Sequence, residues 1–176
     1  MARVEGIDQL DEYLNGLKRP ALEAGIKKKF SLWIHRQELQ ALKQSGNPPP
    51  LSRDIHHLVI ITVSTETKDV VEPGIQSLTQ QKLPPKRILI MIALEERASQ
   101  SVQEEVKELQ SKYREAFLDF MVVLHPSGLS GEARVKGANV TYAANAAAEY
   151  FEERKISFEQ VVVSCFDADT VVKPDY

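Results

Sequence analysis

The spacing of apolar residues changes character once along this chain. Ile7, Leu10, Leu14 and Leu17 recur at helical intervals, and ALEAGIKKKFSLWIHRQELQALKQ continues as a longer helix with Phe30, Trp33 and Ile34 on one face. Residues 1–45 are therefore expected to form a helical N-terminal segment. Gly46, Asn47 and the prolines Pro48 to Pro50 then intervene. Proline lacks a backbone N–H and has a fixed φ, so a run of prolines cannot continue a helix. Residues 46–54 read as an extended, proline-rich connector.

Beyond it, short apolar runs alternate with amphipathic stretches. HLVIITV, RILIMIAL, FMVVLH and QVVVSCF are rich in β-branched residues and suit strands buried on both faces. Between them, KDVVEPGIQSLTQQ predicts a helix with Pro73 in its first turn. A second helix carries Val102, Val106, Leu109 and Tyr113 on one stripe. A third, ANVTYAANAAAEYFEE, lines Val140, Ala143, Ala144, Ala147 and Phe151 on one side, and its small alanines allow a close approach to a sheet. Strand and helix in regular alternation predict an α/β domain over residues 55–176, with a mostly parallel, Rossmann-like sheet covered on both faces. In such sheets ligands bind beyond the carboxyl ends of the strands.

Composition narrows the class without naming a function. The chain has 176 residues, 43% hydrophobic and 27% charged, which fits a globular protein with a real core. A net charge of -3 provides no general attraction to nucleic acid. Neither a signal peptide nor an apolar run near the roughly 20 residues of a membrane span is present, so the chain reads as soluble and cytoplasmic. Lys27, Lys28 and Lys29 beside Phe30 and Trp33 fit either an interfacial helix on a membrane or a solvated face with its aromatics packed inward. Cys165, inside an apolar run, is expected as an inert core thiol.

The predicted strand ends bring acidic groups to one edge: Glu66, Glu95 and Glu96, then Asp167 and Asp169. Like charges gathered in this way call for protonation or a counter-ion, and oxygen ligands suit Mg²⁺ or Mn²⁺ better than zinc, which would want clustered Cys and His. Individually, these acids also fit solvated strand ends or caps, and Glu96 with Arg97 fits a surface ion pair. Asp167 and Asp169 stand apart because they follow an apolar run and flank a small residue, which lets both face one pocket. Lys136 and Asn139 fall on one face at a helix start where free N–H groups favour phosphate, with Gly131 and Gly137 permitting a close backbone approach; an ordinary loop fits equally. The chain contains neither a dinucleotide fingerprint nor a P-loop nor a G-x-S-x-G elbow. His56 and His57 begin the first strand, at the far end from this edge, and read as structural; His125 is at the right edge but has no nearby nucleophile in sequence.

Together HHLVIITVSTETKD, RILIMIALEER, SGLSGEARVKGANVTYAAN and VVVSCFDADTVVKPDY resemble the nucleotide-sugar half of an inverting family 2 glycosyltransferase of GT-A fold, in the family's order and approximate spacing. The resemblance implies that Asp167 reaches toward the ribose or donor sugar and that Asp169, with Asp167, handles a divalent cation clamped on the diphosphate. It places Thr62, Glu66 and Glu95 around base and ribose, and Lys136 and Asn139 on the segment closing that pocket. The family usually has proline and often tyrosine where this chain has Thr62 and Ser64. The implied reaction is attack by an acceptor hydroxyl, of unspecified identity, on the anomeric carbon of a nucleotide sugar. In the family the acceptor site and general base follow this motif. The resemblance therefore implies a donor-binding part whose base lies beyond Tyr176, in a parent that resembles relatives continuing into membrane helices.

Two other readings remain open. A nucleotide-binding half-domain without catalytic activity fits the same motifs, and its last strand would expose an edge. FDADTVV also fits the opening of a haloacid dehalogenase-type phosphatase with Asp167 as nucleophile, although that motif normally ends the first strand of its fold.

Overall fold

The computed structural model describes residues 33–34, 37–38, 40–42, 44–46, 49–126 and 136–176. The chain divides into two compact units, residues 1–55 and 56–176. In the first unit the described positions from 33 to 44 are helical, a short 3-10 turn spans Ser52–Asp54, and Trp33 is exposed. Lys27 to Lys29 and Phe30 lie outside the described residues.

The second unit is an α/β domain. Its strands are β1 (His56–Val63), β2 (Ile88–Glu95), β3 (Asp119–His125) and β4 (Val161–Phe166), all parallel in the order β3-β2-β1-β4. The helices are α1 (Lys68–Leu78), α2 (Gln100–Tyr113) and α3 (Lys136–Glu153). Among the described residues no helix is long and apolar enough to cross a membrane.

Parallel crossovers keep one hand, so helices share a face while the strand order advances and change face when it reverses. Accordingly, Val71, Ile75 and Leu78 of α1 join Val102, Val106 and Leu109 of α2 in one core cluster with Val59, Ile61, Ile90, Ile92 and Phe120. On the opposite face Ala143, Ala147 and Phe151 of α3 pack on Leu58, Ile60, Leu89, Met91 and Ala93. The expected alanine stripe thus seats α3 on the centre of the sheet. Each such side chain, fully buried, contributes about 1.5–3 kcal/mol if large and apolar.

Local chemistry ends these elements. Ser99 caps α2, its Oγ accepting from the Val102 N–H at 3.4 Å. At the end of α3, Lys155 takes φ 57°, and the Ile156 and Lys155 N–H groups return to the Phe151 and Glu152 carbonyls. That left-handed closure usually recruits glycine; here it is anchored by Ile156 packing on the α3-side core. Pro73 falls in the second turn of α1, not the first. It is tolerated there because both Pro73 and Asp69, whose carbonyl loses its partner, face solvent.

The expectation of a sheet covered on both faces fails at β4. Val162 is 51% and Val163 53% exposed, and Cys165 is exposed, so it is not a core thiol. Periodicity read the run as a buried strand, but β4 is an edge strand and α3 covers its neighbours; only Phe166 of β4 is buried. This asymmetry gives a direct test. Phe120→Ala, at a fully buried position, should cost about 3–5 kcal/mol in chemical denaturation, whereas Val163→Ala should stay within about 0.5 kcal/mol.

Candidate functional site

The strand order reverses between β1 and β4: connections from β1 run toward β2 and β3, and the chain then crosses back to β4. In open parallel sheets this reversal leaves a crevice beyond the carboxyl ends of the two strands. A cavity of about 500 Å³ opens there. The end of β1 supplies Thr62, Val63, Ser64 and Glu66, with Val70 from α1; β4 leads into Asp167, Ala168 and Asp169. Glu95, the last residue of β2, and Arg97 just beyond it reach the cavity, as does Asn139 from the first turn of α3.

Of the expected site residues, Thr62, Glu66, Glu95, Asn139, Asp167 and Asp169 are thus brought to one cavity. The Lys136 side chain, like Gly131, lies outside the described residues. His125 sits on the edge strand β3, its ring edge-on to Tyr142 at 5.1 Å. His57, at the other end of β1, is buried and its Nε2 lies 2.8 Å from the Ser164 Oγ. Burial pushes the His57 imidazole below its ordinary value, which favours the neutral ring.

The described lining residues include four carboxylates and one guanidinium, and the donors to Glu66 and Glu95 are defined. Burial alone would raise the Glu66 carboxyl, but the surrounding backbone N–H groups, with Ser64 donating at 2.7 Å and Thr65 at 3.1 Å, outweigh it and hold the group below the usual carboxylate range. Glu95 is held low first by the Arg97 guanidinium; burial opposes this, and the Asn139 Nδ2, donating at 3.2 Å, assists it. Arg97 therefore pairs with Glu95 and not with its sequence neighbour Glu96. Asn139, only 6% exposed, serves that carboxylate from α3.

Asp167 and Asp169 occupy a different setting. Both are exposed into the crevice, while Ala168 between them is buried in the core shared with α1 and α2. The alternation follows from the end of β4: one small apolar side chain points inward and the two acids point out. The Thr170 N–H closes the turn on the Asp167 carbonyl at 3.0 Å. Beneath it lies Gly74 of α1, where an added Cβ would stand 2.4 Å from the Thr170 carbonyl oxygen. Only a residue without a side chain lets α1 pass this close.

Asp167 and Asp169 are the side chains here that could hold a hard cation. Among the described residues no three of His, Cys, Asp and Glu form a ready-made ligand set. Mg²⁺ does not need one, since it is usually held by one or two carboxylates together with substrate phosphates and water. Asp167 and Asp169 are such a pair. The start of α1 is a poor anion site because its Lys68 N–H already donates to the Glu105 carboxylate at 2.7 Å. Sequence reasoning missed Arg97 as a lining group, since its pairing with Glu95 depends on a turn after β2 that carries no motif. Gly74 was also missed; its only signal was glycine in mid-helix, which is costly unless something approaches closely.

No family model matches the chain, and no curated protein is significantly similar to it.

Two expectations follow from this geometry. Glycine to alanine in mid-helix ordinarily stabilises by about 1 kcal/mol, but Gly74→Ala should destabilise by about 1–3 kcal/mol through overpacking and speed amide exchange at Thr170. Denaturation and hydrogen exchange measure both. Glu95, with its lowered folded pKa, contributes stability that is present above the unfolded carboxylate pKa and is lost as pH falls through the folded value. Denaturation at pH 7 and below about pH 4 should therefore show a smaller acid-induced loss for Glu95→Gln than for the parent.

Proposed function

We propose that this crevice binds a nucleoside diphosphate sugar with Mg²⁺ or Mn²⁺, and that the chain is the donor-binding part of an inverting glycosyltransferase similar to family 2 enzymes of GT-A fold. The observation that carries the reading is the pair Asp167 and Asp169, both open to the crevice at the strand-order reversal while Ala168 anchors the turn between them. A sugar nucleotide needs two unlike subsites: hydrogen-bond acceptors for base and ribose, and a cation for the diphosphate. Glu66 and Glu95, with their fixed donors, suit the first subsite, and Asp167 and Asp169, exposed into the crevice, suit the second.

Glu66 and Glu95, kept ionised by their partners, are suited to accept hydrogen bonds from donor hydroxyls and N–H groups. Thr62 and Ser64 line the same side with hydroxyls able to donate or accept. Asp169, with Asp167, would hold the cation, and Asp167 is also within the cavity to meet ribose or sugar. When bound, the metal would stabilise negative charge on the departing diphosphate. Arg97, freed from or shared with Glu95, is the one cationic side chain among the described lining residues and would add to that stabilisation. Lys136, at the start of α3, is proposed on the same anionic side from its sequence position. Transfer needs an acceptor and a general base, and Glu66 and Glu95 are poor candidates for the base because their protons are already held off by fixed donors.

Calorimetry with uridine and guanosine diphosphates tests this reading. At least one should bind in the presence of Mn²⁺ and lose its affinity with a chelator, and Asp169→Ala should abolish the metal-dependent binding. Equal affinity with and without chelator would rule out the metal role. Trapping of an aspartyl-phosphate at Asp167 would favour the phosphatase alternative.

A further inference from the structure

We infer that the hydroxyl clasp between Tyr176 and Ser164 is a positioning device for the turn that carries Asp167 and Asp169. The inference rests on the proposal that this turn meets the cation and the diphosphate. It goes beyond that proposal in assigning a role to residues outside the crevice.

The segment after β4 turns at Asp167–Thr170 and then runs back along α1. The Val172 N–H donates to the Ser77 Oγ at 3.1 Å, and that hydroxyl donates in turn to the Gly74 carbonyl at 2.7 Å. Farther along, the Gln81 Nε2 donates to the Lys173 carbonyl at 2.8 Å and the Lys82 N–H to the Pro174 carbonyl at 2.9 Å. The returning chain ends at Tyr176, whose Oη lies 2.8 Å from the Ser164 Oγ on β4 itself. Ser164 also lies 2.8 Å from the buried His57 Nε2, so the clasp is tied to β1. The Tyr176 ring stacks on His57 at 5.8 Å and meets Phe166 edge-on at 5.4 Å.

Residues 164–176 therefore form a closed surface loop of the Ω type, with its two legs joined and the aspartates at its apex. The outgoing leg needs that support. It is an edge strand, paired on one side only by β1. A carboxylate pair that must meet one cation loses affinity when its supporting shell is loose, because ordering the loop is then charged against binding. Neither Ser164 nor Tyr176 is among the residues that line the crevice. They act through the geometry of the loop and are positioning residues.

Tyr176→Phe removes one hydroxyl and keeps the ring contacts, and Ser164→Ala removes the other. Ser164→Thr restores the hydroxyl on a residue suited to a strand. Hydrogen exchange at the Thr170 and Val172 amides, measured without nucleotide, should accelerate in Tyr176→Phe and Ser164→Ala and recover in Ser164→Thr. Affinity for Mn²⁺ with uridine or guanosine diphosphate should fall by about threefold to tenfold in the first two variants, the worth of one hydrogen bond, and recover in the third. Unchanged exchange in Tyr176→Phe overturns the clasp. Faster exchange with unchanged affinity overturns its positioning role. If the parent protein binds neither nucleotide, the donor-site proposal fails separately, and the exchange comparison still decides whether the clasp holds the turn.

Discussion

The parallel pairing of β4 with β1 is the contact on which the site depends. In its register Ile61 stands beside Phe166, so one step farther Thr62 of β1 lies next to Asp167, the first residue past β4. Without that pairing the two acids of the last strand would have no wall opposite them. With it, residues separated by about a hundred positions share one crevice, and the reversal of strand order keeps any crossover from covering it. The helices follow from the same event. Because α3 must carry the chain from β3 back across to β4, it lies on the opposite face from α1 and α2, and its first turn overhangs the strand ends where Asn139 can reach Glu95.

Electrostatics in the crevice is settled by partners more than by burial. Carboxylates crowded into one small volume would repel one another without compensating donors. The protein avoids this by occupying Glu66 with backbone N–H groups and Glu95 with Arg97 and Asn139. Two acids therefore become fixed hydrogen-bond acceptors, while Asp167 and Asp169 remain open to the crevice.

The asymmetric cover of the sheet is a consequence of its size. A sheet of four strands has two edges, and three crossover helices cannot shield both faces of every strand. β3 and β4 take the exposed places. Val162 and Val163 carry no charge and have no neighbouring proline, which are the usual guards of an edge strand. On the α1 side the returning segment partly compensates, since Val172 and Tyr176 cover what a further helix would cover.

Much of this was legible along the chain. Period and composition located each strand within a residue or two and assigned the apolar faces of α2 and α3, because burial against one sheet imposes a pattern on neighbouring residues. The apolar run before Asp167, Ala168 and Asp169 also marked two acids flanking a small residue and able to face one pocket. Other features left no local trace. QVVVSCF looked like a buried strand, and its place at the sheet edge exposed Cys165 instead. Pro73 looked like a first-turn residue, but it is the sixth residue of a helix that begins at Lys68 as expected. Arg97 looked like a partner for Glu96 and His57 like a structural residue, while Gly74 and Ser164 drew no attention. The sequence by itself determined the kinds of element and which side of each is apolar, since those depend on spacing over a few residues. Only the tertiary structure decided the strand order, and with it which ends meet, which carboxylates find donors and which strand stays bare. Those outcomes depend on contacts between residues far apart in the chain, and no short-range pattern records them.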